Sequence, residues 1–206
     1  MTRSPRIRSP RTRYPRLRGI GEQGVALVEF ACVLPLVAVL AFGIIELGMA
    51  WQDKLRVQTA VRAGVRVGST AGKLSTADQQ ILLGVGAPLN DIGPSNVNWV
   101  VVFKSTTTNG AVPSACITPT PHSVSGSCNA YTGAQVQQVT GGTAPSTWFG
   151  CGVGSLDLSW CPTSRQSVQA LGGDYLGIWV SARHPMVTGF FGSSFTMADT
   201  GVMRLE

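Results

Sequence analysis

The sequence predicts an α+β protein in which one long N-terminal helix crosses a membrane and is followed by a small domain with a short antiparallel sheet. Three observations predict this. Residues 25–51 read VALVEFACVLPLVAVLAFGIIELGMAW, long enough at about 1.5 Å per residue to cross a bilayer core of about 30 Å. Residues 53–67 contain neither proline nor a turn cluster, so the helix runs on beyond the apolar stretch. Runs of β-branched and aromatic residues at 97–103 and 175–183, with a weaker one at 194–202, supply three or four antiparallel strands. The chain divides accordingly into a tail (1–23), a membrane helix (24–51) and an exported domain (52–206).

The tail is a pentapeptide repeat, SPRIR-SPRTR-YPRLR, over residues 4–18. Each proline fixes its own φ and biases the preceding residue toward extended geometry, and mutually repelling arginines oppose collapse, so the segment is expected to be extended and disordered. Its seven arginines, with Glu22, account for the whole formal charge of +6. The remainder is neutral, and the domain carries no electrostatic bias toward nucleic acid. An Arg/Pro repeat can also bind nucleic acid, but Tyr14 is its only aromatic residue, and stacking partners are otherwise missing. Placed directly before an apolar span, the arginines act as a topology signal and hold to anionic lipid, at about 1 kcal/mol per charge.

Glu29, Pro35 and Glu46 interrupt the apolar run. Both glutamates fall near its ends, within reach of water or headgroups, and residues 30–45 are uncharged. A buried helix of a soluble protein would leave the flanking arginines and Trp51 unexplained. Seven arginines on one side against Lys54, Arg56, Arg62 and Arg66 on the other put the N-terminus inside. A secretory cut before Trp51 fits poorly, because the apolar run exceeds an ordinary signal core of about 7–15 residues and Glu46 lies just before the cut. Glu29 is costly in lipid without a partner. An α-amine created by cleavage after Gly24 would lie one turn away or on a neighbouring subunit; interfacial snorkelling is the alternative.

Beyond Trp51, the row Ala60, Gly64, Gly68 and Gly72 either admits the close approach of another helix or a sheet, or marks a glycine-frayed helix end. A second helix is expected over 76–85, with Ser75 as N-cap and Asp78 three residues on. Residues 104–171 are rich in Gly, Ser, Thr, Pro and Gln, a length of loop that is unusual unless cross-linked or functional. Cys116, Cys128, Cys151 and Cys161 all lie there, an even set where an exported domain carries disulfides. Unpaired thiols and a metal site compete. No C-x-x-C pair occurs, and His122 and His184 are not at ligand spacing, so no metal is expected. The simplest of the three possible pairings is Cys116 to Cys128 and Cys151 to Cys161.

Searches for catalytic constellations find no G-x-S-x-G elbow, phosphate loop with lysine or H-E-x-x-H motif. The glycine-rich stretch 150–154 reads as a flexible turn. Asp157 and Asp174 could form an acid/base pair only if folding fixed their separation. No cofactor and no enzymatic activity are expected.

The segment Gly24-Val25-Ala26-Leu27-Val28-Glu29-Phe30 resembles the prepilin processing site of the tight-adherence (Tad, type IVb) pilus system: glycine, four mostly apolar residues, glutamate, aromatic. The longer stretch 21–68, with GIIELG and QTAVRAGVRVG, resembles the TadE/TadG-like family of minor pseudopilins, with a fainter echo at 198–206. The resemblance implies a pseudopilin-like fold and a role in pilus assembly without catalysis. It also implies that a prepilin peptidase cuts after Gly24, leaving Val25 first and Glu29 fifth. Neither Gly19 nor Gly21 has glutamate at the matching offset. The implied partners are other Tad pilins and pseudopilins, that peptidase and the Tad membrane platform. A different class of function, a membrane-anchored adhesin-like module whose disulfide-looped region binds a surface ligand, would use the same anchor.

Overall fold

The structure, a computed structural model, describes residues 20–167, 173–189 and 192–206. The repeat-bearing tail up to residue 19 and the end of the expected loop, 168–171, lie outside the described residues. Helix α1 spans Ile20–Ala71. The described residues divide by their contacts into two units, one ending at Ile44 and the other running from Ile45 to Glu206.

In the first unit, the side chains of α1 from Val25 to Ile44 are apolar almost all round and exposed. A helix apolar on every side needs an apolar medium or other helices around it. Pro35 lies inside the helix, where its missing N–H removes one backbone hydrogen bond.

The second unit is α+β. After α1 come α2 (Ala77–Leu89), β1 (Val97–Ser105), β2 (Cys128–Thr132), α3 (Gly133–Thr140), β3 (Tyr175–Pro185) and β4 (Ser194–Arg204). The four strands are antiparallel in the order β2-β1-β3-β4. Alternation along the strands separates two faces. Val100, Val102, Leu176, Ile178 and Val180 join Val57, Val61, Val65, Ile81, Leu82 and Val85 in the main core. On the opposite face Val101 and Phe103 pack with Cys116, Cys128, Val112 and Ile117. Each fully buried large apolar side chain among these contributes about 1.5–3 kcal/mol.

The small residues of α1 explain its seat in this core. A Cβ on Gly64 would collide with Val85 and come within 2.8 Å of Ile178 Cδ1, and one on Gly68 would lie 2.8 Å from Leu176 Cδ2 and 2.9 Å from Ile81 Cδ1. Ala60, on the same row, is fully buried. The row therefore lets α2 and β3 of the same chain approach the α1 backbone, and it is no frayed end: the helix continues to Ala71. Gly72 stops it, with φ +52° and its N–H donating to Gly68 O at 3.1 Å, the left-handed cap that glycine adopts without steric cost.

Two expectations need correction. Helix α2 runs on to Leu89, and Thr76 rather than Ser75 holds the cap position, without a side-chain cap bond; Asp78 is buried in the core and is committed to long-range partners. The stretch 104–171 is also not all loop, since β2 and α3 form within it. Their joint is the signature T-x-x-Q: Gln135 N–H donates to Thr132 Oγ1, and the Gln135 side chain accepts from Thr132 N–H.

Gly64→Leu should lower the thermal stability of the detergent-solubilised chain by about 2 kcal/mol or more, through overpacking against Val85 and Ile178. Gly48→Ala, at a site where a Cβ meets nothing within 4 Å, should leave it unchanged or slightly raised. Near-UV circular dichroism melts of the two variants check the difference.

Candidate functional site

The processing motif lies on α1 with nothing packed over it. Gly24, Val25, Glu29 and Phe30 are all exposed, and a Cβ on Gly24 would meet no atom within 4 Å. Val25 and Glu29 are one helical turn apart, about 6 Å along the axis. An amine at Val25 and the Glu29 carboxylate would thus face the same side of the helix, where each can offset the other's desolvation.

Glu46 behaves differently from the expectation of a headgroup-facing carboxylate. It is buried, and its oxygens accept hydrogen bonds from the backbone N–H groups of Val187 at 2.8 Å and Thr188 at 3.1 Å. The β3–β4 hairpin, which delivers these amides from about 140 residues away, solvates the carboxylate in place of water. His184, at the end of β3, closes the arrangement. Its Nδ1 lies 2.7 Å from Asp53 Oδ2 and its Nε2 3.7 Å from Glu46 Oε1. A carboxylate only accepts, so Nδ1 carries the proton toward Asp53. Asp53 in turn accepts from Arg56 at 2.9 Å. Among the described residues no group of three or more His, Cys, Asp or Glu is arranged to hold a metal ion.

A second buried polar cluster ties the looped region to the core. Asp78, on α2, receives Arg165 Nη2 at 2.6 Å on one oxygen, and on the other Tyr131 Oη at 2.7 Å and Asn129 Nδ2 at 2.8 Å. Arg165 also donates to Trp160 O at 3.1 Å and stacks 4.1 Å over the Trp160 ring. Sequence reading missed Arg165. The available signal was scarcity, because Asp157 and Arg165 are the only two full charges between Lys104 and Asp174, and both are fully buried.

The proposed acid/base candidates are separately engaged. Asp157 accepts from Gly150 N–H at 2.8 Å and Cys151 N–H at 3.0 Å, so the glycine-rich stretch is a cradle filled by the chain's own carboxylate. Asp174 accepts from Gln166 N–H at 2.9 Å and pairs with Lys104 at 2.8 Å. Folding does not bring these two aspartates together on a shared group. Disulfides join Cys116 to Cys128 and Cys151 to Cys161, and Cys32 is free and exposed on α1. His122 is exposed, with Nδ1 2.9 Å from Thr120 O. Along the outer sheet face a groove of about 530 Å³ is lined by Trp99, Trp179, Ile117 and Pro121 with Asn98 and Ser181.

These features define a class: an α+β domain carried on a helix that, among the described residues, is the one long and apolar enough to cross a membrane, and that reads as a membrane anchor. Residues 24–66 match the family model described as TadE-like protein, the family that the motifs of the same segment resemble. No curated protein and no solved structure matches the chain.

Burial, reinforced by the neighbouring Asp78 carboxylate, holds the Tyr131 phenol well above its ordinary pKa. Because the folded state favours the neutral phenol, this contribution to stability is complete below about pH 10 and is lost as pH rises beyond it. Ultraviolet difference titration should show Tyr131 remaining protonated through the ordinary tyrosine range and ionising only on unfolding. Asp78→Ala, which strands Arg165 in the core, should cost about 3–5 kcal/mol, and Asp78→Ala with Arg165→Met should recover part of the loss. Chemical denaturation of the three proteins checks it.

Proposed function

We propose that the protein is a pilus-assembly component, a TadE-like minor pseudopilin that acts by packing rather than by catalysis. The observation that carries the reading is the coincidence of the family match over residues 24–66 with a bare apolar helix that bears Gly24, Glu29 and Phe30 in processing order. A Tad prepilin peptidase cuts after Gly24 and removes the arginine tail. The apolar part of α1 then joins other pilin-like helices at the membrane platform, with the Val25 amine and Glu29 compensating one another within a chain or between neighbours. The domain is exported and the tail is cytoplasmic, held against anionic lipid before cleavage. The arginine asymmetry across the span supports this orientation. A non-catalytic role is supported by the engagement of Asp78, Asp157 and Asp174 with partners of the same chain. The tryptophan-lined groove favours a second reading, an anchored adhesin-like binding module, which would not require cleavage.

N-terminal sequencing of the membrane-resident protein from a strain with its own peptidase should begin at Val25, and Gly24→Leu should leave the arginine tail attached. Glu29→Gln should reduce pilus number sharply while leaving the amount of membrane-inserted protein unchanged. An intact tail together with full piliation would overturn the processing step. Reporter fusions at residue 100 should be active only outside the cytoplasm.

A further inference from the structure

We propose that the tip of the β3–β4 hairpin, residues 185–189, is a second membrane contact that rests in the boundary between lipid headgroups and acyl chains beside α1. The inference rests on the reading of α1 as a membrane-spanning helix. Glu46 fixes the depth of the tip. Its carboxylate holds the amides of Val187 and Thr188, and it lies within the apolar run, five residues before Trp51. At about 1.5 Å per residue, that places the tip some 7 Å deeper along the helix than Trp51, a residue type that settles at the headgroup level. On the same stretch of α1, Leu47 is 70% and Trp51 66% exposed, whereas Glu46 is 2% exposed. The hairpin thus covers the one carboxylate and leaves the apolar neighbours open.

The tip itself has the chemistry of an interfacial element. Residues 185–189 read PMVTG and carry no charge, and Val187 is 74% exposed. Pro185 has no N–H to satisfy. The next three amides are satisfied within the chain: Met186 N–H donates to Ser193 O at 2.9 Å, and Val187 and Thr188 donate to Glu46. A hairpin tip in water can leave such donors to solvent. One that enters a low-dielectric layer cannot, because each unsatisfied donor there costs several kcal/mol. With two successive amides filled by a buried carboxylate, the tip can enter such a layer without leaving those donors bare.

The experiment uses the full chain with Cys32→Ala, reconstituted at one copy per phosphatidylcholine nanodisc. A nitroxide is placed in turn at Val187→Cys, at Leu36→Cys in the apolar run and at Val153→Cys in the exposed glycine-rich loop. Collision with dissolved oxygen is compared with collision with an aqueous nickel chelate. The expected result is an oxygen-to-nickel ratio several-fold higher at Val187 than at Val153, and highest at Leu36. A Val187 ratio equal to that of Val153, with Leu36 shielded from nickel, would overturn the hairpin contact and leave the anchor standing. A Leu36 label open to nickel would instead overturn the anchor reading itself. Shielding of Val187 only in discs that hold two or more copies would assign the tip to a neighbouring chain and would likewise overturn the lipid contact.

Discussion

The Asp78 carboxylate is the constraint on which the α+β domain depends. It is fully buried on α2, and a buried charge is tolerated only when it is paired and its remaining lone pairs are filled. Arg165 supplies the charge, while Tyr131 and Asn129 from β2 supply further donors. One side chain therefore fastens an α-helix, an edge strand and the end of a long irregular stretch. Without it, β2, a five-residue edge strand, and the segment carrying Cys151 and Cys161 would lose the buried charge pair that ties both to α2.

The irregular region is organised by polar saturation as well as by the burial of Trp160 and the packing of Trp148, Phe149 and Leu156. The carboxylate of Asp157 gathers the amides of Gly150 and Cys151, and Asn129 bonds back to the carbonyls of Asp157 and Trp160 at 3.2 and 2.9 Å while accepting from Trp160 N–H at 2.8 Å. The two disulfides close loops of about a dozen residues, each restricting the unfolded chain by about 3 kcal/mol in the chain-entropy account. Both act on segments that contain no helix or strand long enough to hold their shape by backbone hydrogen bonds alone.

Helix α1 meets two different demands along its length. Up to Ile44 its surface is suited to lipid or to other apolar helices, whereas from Val57 to Ala71 it is a core element whose glycines admit α2 and β3. β4 closes in as well: a Cβ on Gly201 would lie 2.6 Å from Val61, and Lys54 reaches Ala198 O at 2.6 Å and Asp199 at 3.1 Å. The Glu46, Asp53 and His184 group lies where one demand gives way to the other. Its carboxylates are met by hairpin amides and an imidazole instead of water, which is how polar groups persist at an apolar boundary.

The sequence by itself determined what depends on local pattern. An apolar run of bilayer length, a helix continuing past it, a glycine-to-glutamate spacing at its start, β-branched strands and closely spaced cysteine pairs all express themselves over a few to a few dozen residues, and each was legible there. The capping box at Thr132 and Gln135 was equally local and marked a helix in a stretch read as loop. Tertiary structure alone decided the partners of Asp78, Glu46 and His184. Asp78 and Arg165 are 87 residues apart in the chain, and Glu46 and Val187 are 141 apart. No periodicity connects such residues. Their charges become specific only when the sheet and α1 have excluded water between them, because a carboxylate in solvent is satisfied by any donor, whereas a buried one must be met by the particular groups that folding brings to it.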